Sequence, residues 1–371
     1  MKIAQVSPLY ESVPPKLYGG TERIVAYLTD ALVDQGHEVT LFASGDSHTK
    51  ARLVPVCPSA LRLDHTVVDQ FAHHIVELQK VQEQLNRFDI IHYHIDYLHF
   101  PISRINRIPQ LTTLHGRLDL LDLQGLYNHF PDMPVVSISD AQRRPLPQAN
   151  WIDTVYHGLP EDLYHYGTGE GDYVAFVGRV NPEKRVDRAI EIAKQANIKL
   201  KIAAKIDPVD QPYYEQEIKP LLDHPLVEFV GEIGEAEKSD FFGNARALLF
   251  PIDWPEPFGM VMIEAMACGT PVIAFRNGSV PEVIDVGESG FVVESVSEAV
   301  EALKNIDLID RQNCRKAFEQ RFLNTRMAHE YVELYEQQIE KNAHILPLPQ
   351  IIQPKRASIS HNTLPDELPK N

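Results

Sequence analysis

Cysteine is scarce. The three present, Cys57, Cys268 and Cys314, are odd in number, far apart and without a C-x-x-C pair, which excludes a disulfide framework and a thiolate zinc site. Long apolar runs are also missing. No stretch approaches the roughly 20 residues that cross a bilayer, and the chain enters a strand at Lys2-Ile3-Ala4-Gln5-Val6 without an apolar signal segment. The expectation is a cytoplasmic protein, neither secreted nor membrane-spanning. Basic residues are outnumbered, 35 against 52 acidic, for a net charge of −17, which argues against nucleic acid as the main partner and gives no help with an anionic membrane. Any phosphate must be met by a local group of cations. No Asp-x-Asp stands at an expected strand end to hold a divalent ion. The glycines do not spell G-x-G-x-x-G, so neither a metal nor a nicotinamide or other cofactor is expected.

What is present is an alternation of short apolar strands and amphipathic helices. At 371 residues the length suggests two domains, each able to bury its own core. Residues 2–6 read as a strand, 21–34 as a helix closed by Gly36, and 37–42 as the next strand, a β-α-β unit that implies a parallel sheet with ligands at the strands' carboxyl ends. Between them, Tyr18-Gly19-Gly20-Thr21-Glu22 could bring backbone close to a ligand at a helix N-terminus or could be a plain tight turn. Residues 66–86 suggest a long helix with a mixed-sign polar face of Asp69, Gln70, His73, Glu77, Lys80 and Glu83, ending at Arg87. Such a face is not the basic kind that docks on membranes.

Strand 89–94 ends in His92-Tyr93-His94, whose alternation puts both rings on one face. Only Asp96 stands near enough to add to them, so a pair that lines a cleft or packs in the sheet is favoured over a metal site. His115, in Thr113-Leu114-His115-Gly116, ends the next strand, and Ser137-Ile138-Ser139-Asp140 supplies another strand end and a helix cap. Gly167-Thr168-Gly169-Glu170-Gly171 marks the linker. Expected boundaries are therefore 1–166, 167–345, and a mobile proline-containing tail, 346–371. In the second half, strand 173–177 leads to Arg179 and Lys184, two cations that could clamp a diphosphate or simply be solvated.

The stretch around which the second half is organised is Trp254-Pro255-Glu256-Pro257-Phe258-Gly259-Met260-Val261-Met262-Ile263-Glu264, closed by Gly269 and Pro271. Prolines hold an extended loop and Gly259 frees the turn into a helix that is apolar on every side except at Glu264. A buried carboxylate needs a partner to offset its desolvation. Glu256 lies where the N–H groups of Gly259 and Met260 have no intrahelical acceptor. The pair can be structural, Glu256 satisfying a helix start and Glu264 an ion pair, or can serve a ligand that carries phosphate and hydroxyls.

Glu256-Pro257-Phe258-Gly259 followed by Glu264 resembles the E-x7-E motif of retaining glycosyltransferases of GT-B architecture, family 4 (glycosyl transferases group 1). The resemblance covers most of the chain. It implies an α/β protein with two Rossmann-like parallel-sheet domains facing a cleft, and a C-terminal helix, within 311–343, that crosses back to the first. It implies transfer of a hexosyl group from a UDP- or GDP-sugar to an acceptor hydroxyl with retention; the non-basic face of 66–86 favours a soluble small molecule or glycan as acceptor. By the same resemblance His115 faces the donor sugar as the active-site histidine, Arg179 and Lys184 hold the diphosphate, and Glu256 and Phe258 meet the sugar; the backbone at Gly19, Gly20, Gly259 and Met260 is expected to join the cations at the diphosphate because it opens helix N-termini. Glu264 meets the ribose, and Gly231, Glu232 and Ile233 meet the base. Asn277-Gly278-Ser279-Val280-Pro281-Glu282-Val283 matches the family's GG-x-P-E-V turn except that Ser279 replaces the second glycine, which puts a close backbone approach there in question. A sugar phosphorylase or nucleotide-sugar epimerase on the same fold, or a non-catalytic nucleotide-sugar-binding protein, stays open at this point.

Overall fold

A computed structural model describes residues 1–16, 19–62, 64–106 and 108–343. The first half forms a seven-stranded sheet from β1 (Lys2–Val6), β2 (Glu38–Ala43), β3 (Arg52–Pro55), β4 (Ile90–Tyr93), β5 (Gln110–Thr113), β6 (Pro134–Ser137) and β7 (Asn150–Thr154), in the order β3-β2-β1-β4-β5-β6-β7. The second forms a six-stranded sheet from β8 (Tyr173–Arg179), β9 (Lys199–Lys205), β10 (Val227–Gly231), β11 (Leu248–Phe250), β12 (Val272–Phe275) and β13 (Gly290–Val293), in the order β10-β9-β8-β11-β12-β13. Every pairing is parallel. The strand order reverses beside β1 and beside β8, and parallel sheets open a crevice at such points, outside the strands' carboxyl ends. Both crevices face each other.

Local chemistry explains the helices that matter here. The helix Gly20–Asp34 buries Ile24, Leu28, Ala31 and Leu32 and stops before Gly36, whose φ of 88° suits glycine. The helix Met260–Ala267 follows Gly259 at φ 78° and is followed by Gly269 at φ 74°. All of its residues from Met262 on are buried, Glu264 among them. One apolar cluster joins the halves, running from Leu28 and Val136 to Phe258, Met262, Phe322 and Met327.

Four expectations are corrected. The helix foreseen over 66–86 spans Gln70–Gln82, because Asp69 caps it by accepting from the N–H groups of Phe71 and Ala72. Its inward face is His74, Glu77, Leu78 and Val81, whereas Phe71, Ile75 and Val76 are exposed. Glu77 thus belongs to the buried side, where burial raises its pKa well above the ordinary carboxylate range. The helical region 311–343 is two helices, Arg311–Arg321 and Asn324–Ala343. Between them Leu159 N–H donates to the Phe322 carbonyl, and Gly158 lies so close that a Cβ would be 2.3 Å from the Leu323 carbonyl oxygen. The second helix packs on Gly20–Asp34 and on β4 and β5, crossing back to the first half. Residues 213–222 read from their spacing as one helix, but the chain makes short turns there, with Pro220 inside the 3-10 turn Lys219–Leu221.

The fourth correction concerns the turn at 277–283. Close approach falls at Gly278, φ 54°, where a Cβ would stand 2.2 Å from the Glu256 carbonyl oxygen. Ser279 instead holds the motif loop, its hydroxyl donating to the Phe258 carbonyl at 2.7 Å and its N–H to the Glu256 carbonyl at 3.0 Å. The segment 167–171 connects β7 to β8 while pinned to the second half by N–H bonds from Gly167 to Cys268, Gly169 to Gly243 and Gly171 to Asn244. Tyr18 and the tail 346–371 lie outside the described residues.

Candidate active site

The two crevices merge into one cavity of about 470 Å³. His115, Arg179, Lys184, Glu232, Ile233, Glu256, Phe258, Gly259, Met260 and Glu264 all line it, with Gly19 and Gly20. Gly231, foreseen beside them, does not line it. It ends β10 at φ 88°, a left-handed turn that only glycine takes readily, and so directs Glu232 and Ile233 inward. Gly20 and Met260, at the starts of two helices on opposite walls, lie close together, since a Cβ added at Gly20 would stand 3.7 Å from Met260 Cε. Both helix N-termini, with their partial positive charge, therefore look into the same space.

The second half supplies charge. Lys184 follows β8, its N–H held by the Asn181 side chain at 3.0 Å. Its ammonium contacts Glu256 and sits 5.1 Å above the Trp254 ring. Trp254 Nε1–H donates to the same Glu256 oxygen at 2.9 Å, so the carboxylate is oriented by two donors. Arg179 ion-pairs Asp207 at 3.5 Å. Glu264 has the partner its burial demanded, Lys238, at 2.9 Å from Oε1, while its Oε2 is buried and has no hydrogen-bond partner among the described residues. Lys238 and the adjacent Glu235 belong to the helix Glu235–Gly243, and Arg23 from the first half contacts Glu235 across the cleft. Phe258 lines the cavity, but its ring packs on His157 and Phe322, so it serves the joint between halves.

The first half supplies mostly uncharged groups. His94 Nδ1 is 2.9 Å from His115 Nε2, and His157 stacks on His115 with centroids 5.3 Å apart. Burial lowers the pKa of His94 and His157 well below the ordinary histidine value and pushes His115 down to about 3. His115 Nδ1 is buried without a hydrogen-bond partner among the described residues. His92, the other ring of the His-x-His pair, is held by Thr113 and Tyr335 at 2.7 Å each, which makes it a packed sheet residue. No group of three or more histidine, cysteine or acidic residues that could hold a metal occurs among the described residues. Tyr10, Arg62 and Asp96 complete the first-half wall. Tyr10 lies edge-on to His74 at 5.1 Å, Arg62 pairs Glu11 at 3.1 Å, and Asp96 sits at a left-handed φ of 51°.

Other motif residues lock the halves together. Ser139 donates to the Pro257 carbonyl at 2.6 Å, and Glu282, from the turn after β12, accepts from the N–H groups of Asp140 and Ala141 at 2.7 Å each. Arg117 reaches Glu183 at 2.7 Å. Lys238, His157, Arg23 and Glu282 were not foreseen as site residues, whereas His94 takes the cleft-lining place offered for the His-x-His pair. For Lys238 the available signal was that Glu264 required a cation, but sequence distance could not say which.

Among known proteins, residues 18–167 match the model of Glycosyltransferase Family 4 and residues 167–322 that of Glycosyl transferases group 1. N-acetyl-alpha-D-glucosaminyl L-malate synthase of Bacillus anthracis is 26% identical over 369 residues, covering 85% of this chain and 93% of that protein. AviGT4, a glycosyltransferase involved in avilamycin A biosynthesis, superposes with a TM-score of 0.70 at 25% identity, covering 92% of this chain and 98% of its own. HepE of Anabaena, in complex with UDP-glucose, gives a TM-score of 0.71 at 18% identity, with 91% and 100% covered. No described helix is long and apolar enough to cross a membrane. Two matched halves, two facing parallel sheets and the E-x7-E stretch at their junction make this chain a group 1, family 4 glycosyltransferase of GT-B architecture.

Proposed function

We infer that the chain moves a hexosyl group from a UDP- or GDP-sugar to the hydroxyl of a soluble acceptor, with retention at the anomeric carbon. Residues 1–166 would present the acceptor and 167–345 the donor. The observation that carries this reading is a pair of buried polar atoms without partners among the described residues, Glu264 Oε2 and His115 Nδ1, in the same cavity as Arg179, Lys184 and the helix start at Gly259 and Met260. A buried acceptor atom left unpaired costs about 1–3 kcal/mol. A ligand whose hydroxyls reach both atoms removes that cost while its phosphates meet the cations.

In this scheme Glu264 Oε2 accepts from the ribose, and His115 and Glu256 accept from sugar hydroxyls. As the bond from the anomeric carbon to the diphosphate breaks, Arg179, Lys184 and the N–H groups of Gly259 and Met260 stabilise the departing charge. The acceptor oxygen forms its bond on the same face and its proton passes to the departing phosphate oxygen. A double displacement would need a carboxylate nucleophile on the opposite face. Glu256, the carboxylate nearest that role, is tied to Lys184 and Trp254. HepE's UDP-glucose complex supports the choice of donor class, and Glu232 and Ile233, which line the cavity, would meet the base.

The test is to incubate purified protein with UDP- and GDP-sugars and hydroxylated acceptors, with and without chelator, and to read the product's anomeric configuration by NMR. Retained product formed equally in chelator is expected, because cations and helix N–H groups serve the diphosphate. Sugar 1-phosphate, an epimerised donor, an inverted product, or activity lost in chelator and restored by Mg²⁺ or Mn²⁺ would each overturn the scheme.

A further inference from the structure

Behind His115 a single file of hydrogen-bonded side chains leads away from the cleft. His115 Nε2 meets His94 Nδ1 at 2.9 Å, and His94 Nε2 meets Gln5 Oε1 at 2.7 Å. Gln5 Nε2 meets the Tyr335 hydroxyl at 3.0 Å, and that hydroxyl meets His92 Nδ1 at 2.7 Å. His92 Nε2 meets the Thr113 hydroxyl at 2.7 Å, which meets Tyr331 at 2.7 Å. Gln5, His92, His94, Thr113, Tyr331 and Tyr335 are all buried, so water does not compete for these bonds. Three strands supply the chain's middle, and the crossing-back helix Asn324–Ala343 supplies both tyrosines.

Hydrogens can be counted along such a file. A neutral imidazole has one N–H and one bare nitrogen, so each ring passes a direction to the next. Burial keeps His92, His94 and His115 neutral. Gln5 sets the direction, because its amide oxygen can only accept. His94 therefore donates from Nε2 to Gln5, its Nδ1 is bare, and His115 must donate from Nε2 to that Nδ1. What remains to His115 is a bare Nδ1 in the cleft. On the far side, Gln5 donates to Tyr335, Tyr335 to His92, His92 to Thr113 and Thr113 to Tyr331, with no conflict at any link. If the Gln5 amide were turned round, every bond would reverse and His115 would present an N–H instead.

We propose that Gln5 and Tyr335 are positioning residues that fix the tautomer of His115, so that its Nδ1 meets the cleft as a hydrogen-bond acceptor for a hydroxyl of the bound sugar. The idea rests on the inferred glycosyl transfer for its consequence in turnover but not for the tautomer itself. Tyr335 ties Gln5 to the His92–Thr113–Tyr331 end of the file, so with that hydroxyl present the amide cannot turn unless every bond reverses with it, and losing the hydroxyl lets the amide turn alone. The reach of the crossing-back helix thus extends to the reacting side of the cleft without touching substrate.

The decisive measurement is ¹⁵N NMR of the histidine ring nitrogens in the full-length, unmutated protein at neutral pH, with His115 assigned by its loss in His115→Asn. A bare Nδ1 and protonated Nε2 on His115 are expected, and the opposite tautomer or a mixture would overturn the proposal. Tyr335→Phe keeps the ring and should convert His115 to a mixture. It should lower kcat about tenfold or more while leaving nucleoside-diphosphate affinity within twofold. Gln5→Glu, acceptor-only toward His94, should keep the wild-type tautomer, whereas Gln5→Met should lose it. An unchanged tautomer in both Tyr335→Phe and Gln5→Met would overturn the positioning role. If no donor is ever turned over, the NMR result still decides the tautomer, so failure of the transfer reaction and failure of this proposal are distinguishable.

Discussion

The two walls of the cleft solve opposite electrostatic problems. On the first-half wall, His94, His115 and His157 are crowded so closely that burial holds them uncharged, and their polarity is spent on hydrogen bonds. On the second-half wall, Lys184, Arg179 and Lys238 are paired with Glu256, Asp207 and Glu264. A dianionic leaving group would be met by compensated charge, whereas hydroxyl recognition needs fixed, directional neutral groups. The lesson is that net charge of −17 says little about the sites within, since each cation here carries its own carboxylate.

Breaking one member of a charge pair should hurt most. Lys238→Met leaves Glu264 buried beside no cation from its own helix pair, and loss of one partner of a buried pair costs roughly 3–5 kcal/mol. A large drop in unfolding midpoint by calorimetry is expected, partly restored by adding Glu264→Gln. If Lys238→Met melts like wild type, the two walls do not differ in the way described. Next comes Lys184→Ala, or Arg179→Ala, for which about 2–4 kcal/mol of transition-state stabilisation should vanish from kcat/KM while the melting midpoint moves little. Wild-type turnover in either would remove the diphosphate assignment.

The two glutamates sharpen the contrast within one wall. Glu264→Gln should weaken binding of nucleoside diphosphate and intact donor alike. Glu256→Gln should spare nucleoside diphosphate and lower turnover by roughly 1.5–3 kcal/mol, the worth of a hydrogen bond to a charged group. Calorimetric titration with both ligands decides, and equal weakening by Glu256→Gln would refute the division of labour.

The smallest effect is expected at Glu77. Its native pKa is raised, so the folded state holds a proton that the unfolded chain has released, and stability falls as pH rises through the carboxylate range and above. Glu77→Gln should therefore gain stability at neutral pH, on the order of 1 kcal/mol, and nothing at pH 3–4. The histidines act in the other sense. Their lowered native pKa values make the unfolded chain the better proton binder, so their contribution is lost as pH falls below about 6.5. Melting curves of both proteins across pH 4–8 check the two slopes together.

Much of the architecture was legible because strand and helix periods alternate so regularly: β1, the helix Gly20–Asp34 and β2 fall within a residue or so of where spacing puts them. Short edge strands were not. β3 has four residues, ends in Pro55 and is at best half-buried, and β13 is also a four-residue edge, so neither carries enough pattern to stand out. Of the site, the individual side chains were legible and their pairing was not. Lys184 and Glu256 were each foreseen as ligand groups, but nothing in the 72 positions that separate them says that they meet. Glu77 was misplaced because charge suggests an outward face, whereas packing of Leu78 and Val81 turned it inward.

The kink after Arg321 has a consequence for biosynthesis. A ribosome extrudes the first sheet long before Tyr331 and Tyr335 emerge, yet those hydroxyls are what His92 and Thr113 bond to in the finished protein. Until some 240 further residues have followed β4, the first half holds a polar seam in its interior that nothing closes. The N-terminal half should therefore wait, as a loosely packed nascent domain, for the last helix to seal it. Removal of residues 324–343 would then leave a protein whose first sheet, not its last, is the part most readily cut by protease.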